Sequence, residues 1–254
     1  MISVVVNLDT RPGWKLEATL ATSTLNGTRS VDFFTEGLIN KRKFFAGHEI
    51  ELIAYVDEHE PLDVAVSGAD KLVVVPHSKE RYRWNDHVYL DALAHAQGDY
   101  VCHFDQDTVA FCVDGAVIEQ YLKLLDSGVA NFVSLPLPSE RTDTYWWAST
   151  RFFITKREFL PLDEIRHYIT DPQALVEKYR WPGISSFPCL EHLLGAMNAG
   201  KVLYPVQDGK AHIYSWYNYR QGVLADMNRL SYPEVCAFIE SKCGTGGAGE
   251  LYLK

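Results

Sequence analysis

The order of apolar runs in this chain predicts an α/β fold, with a mostly parallel central sheet flanked by helices. Two observations carry that prediction. Short apolar runs of strand length alternate with helix-spaced patterns through the first half. Acidic residues stand just past the ends of several of those runs, at the rim where open α/β sheets bind ligands. A third observation sets the scale: 254 residues, 47% of them hydrophobic, provide ample core for one large domain.

Ile2 to Leu8 reads as a buried strand. Between Ser30 and Phe45 the apolar positions Val31, Phe34, Leu38 and Phe45 recur at helical spacing, and Gly47 stands where such a helix would stop. Glu51 to Val56 and Lys71 to Val75 are the next strands, each followed by polar residues. A helix is expected over Asn85 to Ala96, with Val88, Ala92, Leu93 and Ala96 on one side and Gly98 beyond it. Tyr100 to Phe104 is the following strand, and it delivers Asp105-Gln106-Asp107. Asp114 is placed to cap a helix carrying Val117, Ile118, Tyr121, Leu122 and Leu125.

In the second half, strands are expected over Phe132 to Leu135, Thr150 to Thr155 and Lys201 to Tyr204, among helices and long polar-aromatic connections. Asp171-Pro172 is a helix start, because Asp caps and Pro suits the first turn. A further helix is expected from about Cys189 to Ala199, closed by Gly200. No linker separates the halves, so residues 1–243 are expected to form one domain, whose two halves meet at about residue 110. The Gly-rich segment 244–254 reads as a flexible tail.

The chain carries 24 basic and 33 acidic side chains, a formal net charge of −9. That balance argues against nucleic acid as a partner, since phosphate binding depends on Lys and Arg releasing counterions. Five widely spaced cysteines make neither a disulfide framework nor a zinc site and read as buried thiols. No apolar stretch approaches the ~20 residues needed to span a bilayer, and the first residues lack the basic flank of a signal peptide. A cytoplasmic protein is expected, free or peripheral to a membrane. No Gly-x-Gly-x-x-Gly follows the first strand and no Gly-Lys-Ser/Thr loop occurs, which excludes the usual dinucleotide and P-loop readings.

The sharpest motif is Tyr100-Val101-Cys102-His103-Phe104-Asp105-Gln106-Asp107-Thr108, a strand that ends in an Asp-x-Asp pair. Two carboxylates one residue apart grip a hard divalent cation, which in turn bridges phosphate oxygens. Here the sequence resembles the GT-A glycosyltransferases, especially the family-2-like group. The matching residues are the opening strand Ser3 to Asp9, the acidic Asp57 after the second strand, and the helix with Gly98-Asp99-Tyr100 leading into the motif.

The resemblance implies a GT-A-like fold and sugar transfer from a nucleotide-diphosphate sugar, with Mn²⁺ or Mg²⁺ on the diphosphate. It implies Asp105 and Asp107 as cation ligands, with Asp105 also facing the donor, and His212 as a further ligand. It implies Asp9 and Asp57 as nucleoside contacts, with Arg11, Arg81 and Arg83 near the nucleotide or diphosphate. Glu191, in the first turn of a helix, is the expected general base of an inverting reaction. The family's usual Glu-Asp pair is replaced here by Glu191-His192. Trp146, Trp147 and Trp216 lie in aromatic clusters suited to stacking a donor or acceptor sugar. The acceptor, whether a glycan, a lipid-linked sugar or a small molecule, and the oligomeric state are left open.

Asp105-Gln106-Asp107-Thr108 also satisfies the Asp-x-Asp-x-Thr motif of haloacid-dehalogenase-like phosphatases, in which Asp105 would be the phosphoryl acceptor. That motif normally follows a first strand and is completed by a later acidic pair. Here three strands precede it, and Asp163-Glu164 falls in a helical context. A nucleotidyltransferase or a non-catalytic sugar-binding protein of related fold is also compatible with these residues.

Overall fold

The computed structural model describes residues 1–8, 31–57, 68–75, 86–105, 108–112, 115–135, 148–179, 190–204 and 211–215. The run of β-branched residues at Ile2–Leu8 forms strand β1, which pairs in parallel with β2 (Ile50–Asp57) on one side and β4 (Tyr100–Asp105) on the other. β3 (Lys71–Val75) lies parallel to β2 at the edge. Past β4 come β7 (Phe152–Lys156), β6 (Phe132–Ser134) and β8 (Val202–Leu203). The sheet order is β3-β2-β1-β4-β7-β6-β8, and β7 runs against both of its neighbours. The expected α/β class with a mostly parallel sheet is what forms.

Among the described residues, six α-helices follow from the apolar periodicities: α1 (Val31–Phe44), α2 (Asp86–Leu93), α3 (Ala116–Asp126), α4 (Leu162–Thr170), α5 (Pro172–Tyr179) and α6 (Leu190–Met197). The central strands β1, β2 and β4 are buried on both faces, as parallel sheets require, while Val74 of edge strand β3 is exposed. On one face Val4, Val6, Leu52, Ala54 and Phe104 pack with Leu38 and Phe44 of α1 and with Val117 and Ile118 of α3. On the other, Val5, Ile53, Val101 and Phe153 pack with Leu90 of α2, Ile165 of α4 and Leu193 of α6. Cys102 is a free, buried thiol whose pKa burial pushes up. Among the described residues, no helix is long and apolar enough to cross a membrane.

Several expectations are corrected. β5 (Thr108–Cys112) and β9 (Ala211–Ser215) pair as a separate antiparallel ribbon, so the motif is followed at once by a strand, and the His212 cluster lies partly in one. The N-cap position of α3 is Gly115, one residue past the expected Asp114, which lies outside the described residues. α2 ends three residues before Ala96 and continues as turns. The strand expected from Thr150 begins at Phe152, because the polar groups of Thr150 turn to Glu191 instead of the ladder. The 244–254 tail lies outside the described residues.

Gly98 fixes the entry to β4. A methyl group there would lie 2.7 Å from Met1 O and 2.8 Å from Ser3 N, both backbone atoms. Its N–H donates to Ser3 Oγ at 2.8 Å, and Ser3 Oγ donates to Glu51 Oε2 at 2.7 Å. This corner ties β1, β2 and β4 into register at the end of the sheet opposite Asp105.

Candidate functional site

The chain runs outward from β1 to β2 and β3, then returns to place β4 on the other side of β1. That reversal creates a topological switch point between the carboxyl ends of β1 and β4, where open α/β sheets take their ligands. Asp105 is the last residue of β4, opposite Asn7 of β1. Asp57 is the last residue of the neighbouring β2. Two acidic residues therefore end strands on either side of β1 at one rim, although the side chain of Asp57 lies outside what the structure describes. Asp9, Arg11, Arg81, Arg83, Asp107, Trp146, Trp147 and Trp216 also lie outside the described residues.

Asp105 is half-buried, and its Oδ1 accepts a hydrogen bond from Tyr89 Oη of α2 at 3.3 Å. Its N–H donates to Arg151 O at 3.3 Å, and Thr108 Oγ1 donates to the same carbonyl at 3.2 Å. Gln106 and Asp107 are thus bracketed by two residues tied to one acceptor. From α1, Lys41 Nζ donates to Thr108 O, and Asn40 exchanges two 2.9 Å hydrogen bonds with the N–H and carbonyl of Ala110.

Glu191 occupies the first turn of α6 and is half-buried. Its Oε1 accepts from Thr150 N at 2.8 Å, Thr150 Oγ1 at 3.0 Å and Ser149 Oγ at 3.3 Å. Burial raises its pKa, and the Thr150 N–H, the nearby Arg151 charge and the two hydroxyls oppose that rise. Glu191 O also accepts from Ala148 N at 3.2 Å. The helix start is therefore stitched to the segment that leads into β7.

His103 connects the two carboxylate regions. Because a carbonyl only accepts, the bond between His103 Nδ1 and Thr150 O places the proton on Nδ1, leaving Nε2 to accept from Tyr55 Oη at 3.1 Å. Burial lowers the His103 pKa to about 4, against the opposing effect of the Thr150 carbonyl, so the imidazole is neutral near pH 7. The ring stacks on Phe153 with centroids 5.7 Å apart and lies 5.0 Å from Tyr89. Thr150 thus bonds to His103 through its carbonyl and to Glu191 through its N–H and hydroxyl.

Tyr55, Tyr89 and Thr150 belong to no motif, and sequence patterning does not single them out. Only His103 leaves a signal, because strand alternation puts it on the same face as Asp105. His212 lies opposite Phe111 in the β5–β9 ribbon, three positions from the Thr108–Ser215 pair beside the acidic segment. Its side chain lies outside the described residues. Asp163 and Glu164 open α4, and Glu164 is engaged by Lys178 and by Tyr168 Oη at 3.0 Å. Among the described residues, no cluster of three or more His, Cys, Asp or Glu forms a metal site.

No protein-family model and no curated protein matches this chain. Solved structures similar to it include the mannosyltransferase PcManGT from Pyrobaculum calidifontis, in complex with GDP-Man and Mn²⁺. That likeness has 16% identity and a TM-score of 0.39, over 63% of this chain and 45% of that one. The glycosyltransferase GlyE of Streptococcus pneumoniae TIGR4 is similar at 12% identity and a TM-score of 0.45, over 82% of this chain and 45% of that one. The galactosyltransferase LgtC, in complex with donor and acceptor sugar analogs, is similar at 11% identity and a TM-score of 0.43, over 80% of this chain and 72% of that one. This chain spans less than half the length of the first two.

Proposed function

We propose that this chain is a metal-dependent, inverting glycosyltransferase, moving a sugar from a nucleotide-diphosphate sugar to an acceptor hydroxyl. The observation that supports this reading most is the position of Asp105: the Asp-x-Asp pair leaves β4 at the switch point beside β1. The donor set suits a hard divalent cation, Mn²⁺ or Mg²⁺. Both proposed carboxylate ligands offer oxygen, the donor type such cations take, and Asp105 also accepts from the Tyr89 hydroxyl. When bound, the cation would neutralise charge on the departing diphosphate.

In this reading Asp9 and Asp57 hold the nucleoside, while Arg11, Arg81 and Arg83 contact the nucleotide or diphosphate. Trp146, Trp147 and Trp216 supply apolar faces for sugars. Glu191 takes the proton of the acceptor hydroxyl as that oxygen attacks the anomeric carbon. The bond from that carbon to the diphosphate breaks, and the nucleoside diphosphate leaves with the bonding electrons. A carboxylate whose pKa is raised is the better base for this step.

Calorimetric titration of nucleoside diphosphates, with and without Mn²⁺, tests the reading. The wild type should bind at least one of them in a metal-dependent way, and Asp107→Asn should weaken that binding by about tenfold or more, about 1.4 kcal/mol. Unchanged affinity would sink the metal assignment, and a phospho-aspartate at Asp105 would favour the phosphatase. Mn²⁺ electron paramagnetic resonance with ¹⁵N-histidine tests His212 in the same complex. To share the cation, His212 must reach across three strand positions, about 10 Å along the ribbon. Nitrogen coupling lost in His212→Ala supports ligation.

A further inference from the structure

We infer that Asn40 and Lys41 of α1 are positioning residues for the cation site, acting through the strand that leaves it. This rests on the reading of Asp105 and Asp107 as cation ligands. Lys41 is 0% exposed, although a buried ammonium is costly to hold. Its Nζ donates to the carbonyl of Thr108, the residue after Asp107, and lies 5.7 Å from the Phe104 ring centroid. Asn40 is 7% exposed and makes the reciprocal pair with Ala110.

In an antiparallel strand the N–H and carbonyl of alternate residues face the same side. Thr108 and Ala110 therefore turn their polar groups toward α1, and the side chains of Asn40 and Lys41 take the part of a neighbouring strand. β9 occupies the other edge of β5. Hydrophobic packing alone would not select a lysine here, since the stem of a Met would fill similar space without the desolvation cost.

The consequence is preorganisation. Arg151 O fixes Asp105 and the Thr108 hydroxyl, while Lys41 fixes the Thr108 carbonyl. Asp105 and Thr108, the residues on either side of Gln106-Asp107 in the chain, are held before any cation arrives, so binding need not order them. Loss of the Lys41 anchor should therefore weaken the cation without unfolding the protein. A purely electrostatic role has the opposite sign, because removing a positive charge from the protein favours a bound cation.

The test is titration of the full chain with MnCl₂ alone, with free Mn²⁺ read by electron paramagnetic resonance and thermal unfolding measured on the same samples. Lys41→Met is expected to weaken Mn²⁺ binding about tenfold, the equivalent of one lost ordered hydrogen bond, with the unfolding midpoint unchanged or raised. Asn40→Ala is expected to weaken it too, with a lowered midpoint because Ala110 loses its partners. Lys43→Met, an exposed change on the same helix, is expected to leave affinity unchanged. Wild-type affinity, or tighter binding, in Lys41→Met overturns the inference. So does failure of both Lys41→Met and Asn40→Ala to fold, which would assign the pair to the fold alone. Absence of Mn²⁺ binding by the wild type is a separate result: it removes the cation reading itself, and this inference with it.

Discussion

At Glu191 the proposed general base also has a structural part, and substitution separates the two. Oε1 collects the donors from Ser149 and Thr150, which is a structural function at a helix start. A glutamine keeps a carbonyl oxygen for those donors but has no basic group to accept an acceptor's proton. Glu191→Gln is therefore expected to retain donor affinity and stability while turnover falls by ~10²–10⁴-fold, the usual scale for a lost general base. Glu191→Ala removes both functions and leaves three donors without their acceptor, so it should also destabilise by about 1–3 kcal/mol. Parallel assays of turnover, nucleotide binding and urea unfolding check this. Equal losses of turnover in Gln and Ala variants, with equal losses of stability, would mean that Gln does not reproduce the acceptor. Full activity in Glu191→Gln would remove Glu191 from catalysis.

At the scale of elements, the corner at Gly98 shows how a glycine far from the site sets its geometry. Ser3 accepts from the N–H groups of Gln97 and Gly98, and the close approach of Gly98 to Met1 and Ser3 leaves no room for a Cβ. Gly98→Ala must push β1 from the entry to β4, and overpacking of this kind costs about 1–3 kcal/mol. The expected result is a lower urea midpoint with unchanged slope, and wild-type stability would show that the corner yields. The elements easiest to read in the sequence are those with a single strong pattern. Ile2–Leu8 and Lys71–Val75 form with the expected bounds, the first because a continuous apolar run buried on both faces has one good solution, the second because its β-branched residues suit an edge strand bounded by polar residues. β5 and β9 are not legible in this way. Thr108–Cys112 directly follows the Asp-x-Asp segment and looks like a loop continuing it, and its pairing partner lies about a hundred residues later. Asp105 can be placed from local order alone, whereas the His103–Thr150–Glu191 link needs β4 and β7 to be brought together antiparallel. Local periodicity carries no information on such a contact.

Across the whole molecule, the buried His103 links folding stability to pH. The unfolded chain protonates this histidine near its ordinary value of 6.5, whereas the native ring resists protonation down to about 4. Between those values the unfolded state holds more protons, so stability falls as the solution is acidified and the contribution is lost through the native pKa. From pH 7 to pH 5 this amounts to about 2 kcal/mol, a large share of a domain's usual margin. Glu191 acts in the opposite direction, since its raised native pKa makes the folded state hold a proton that the unfolded chain has released. Asp126 and Glu164, whose pKa values are lowered chiefly by hydrogen bonds from Tyr100 and Lys178 respectively, add to the acid loss at lower pH. Both sit near solvent, where screening reduces their share. His103→Asn isolates the histidine: an Asn amide can still donate toward the Thr150 carbonyl, but it does not titrate. The variant will be less stable at every pH, because Tyr55 loses its acceptor and the ring's packing against Phe153 and Tyr89 is lost. The diagnostic quantity is therefore the difference in unfolding free energy between pH 7 and pH 5, measured by urea titration without divalent cations. That difference should shrink by about 2 kcal/mol in His103→Asn; an unchanged difference would assign the acid sensitivity to the other titrating groups, among them His192, whose pKa burial also lowers.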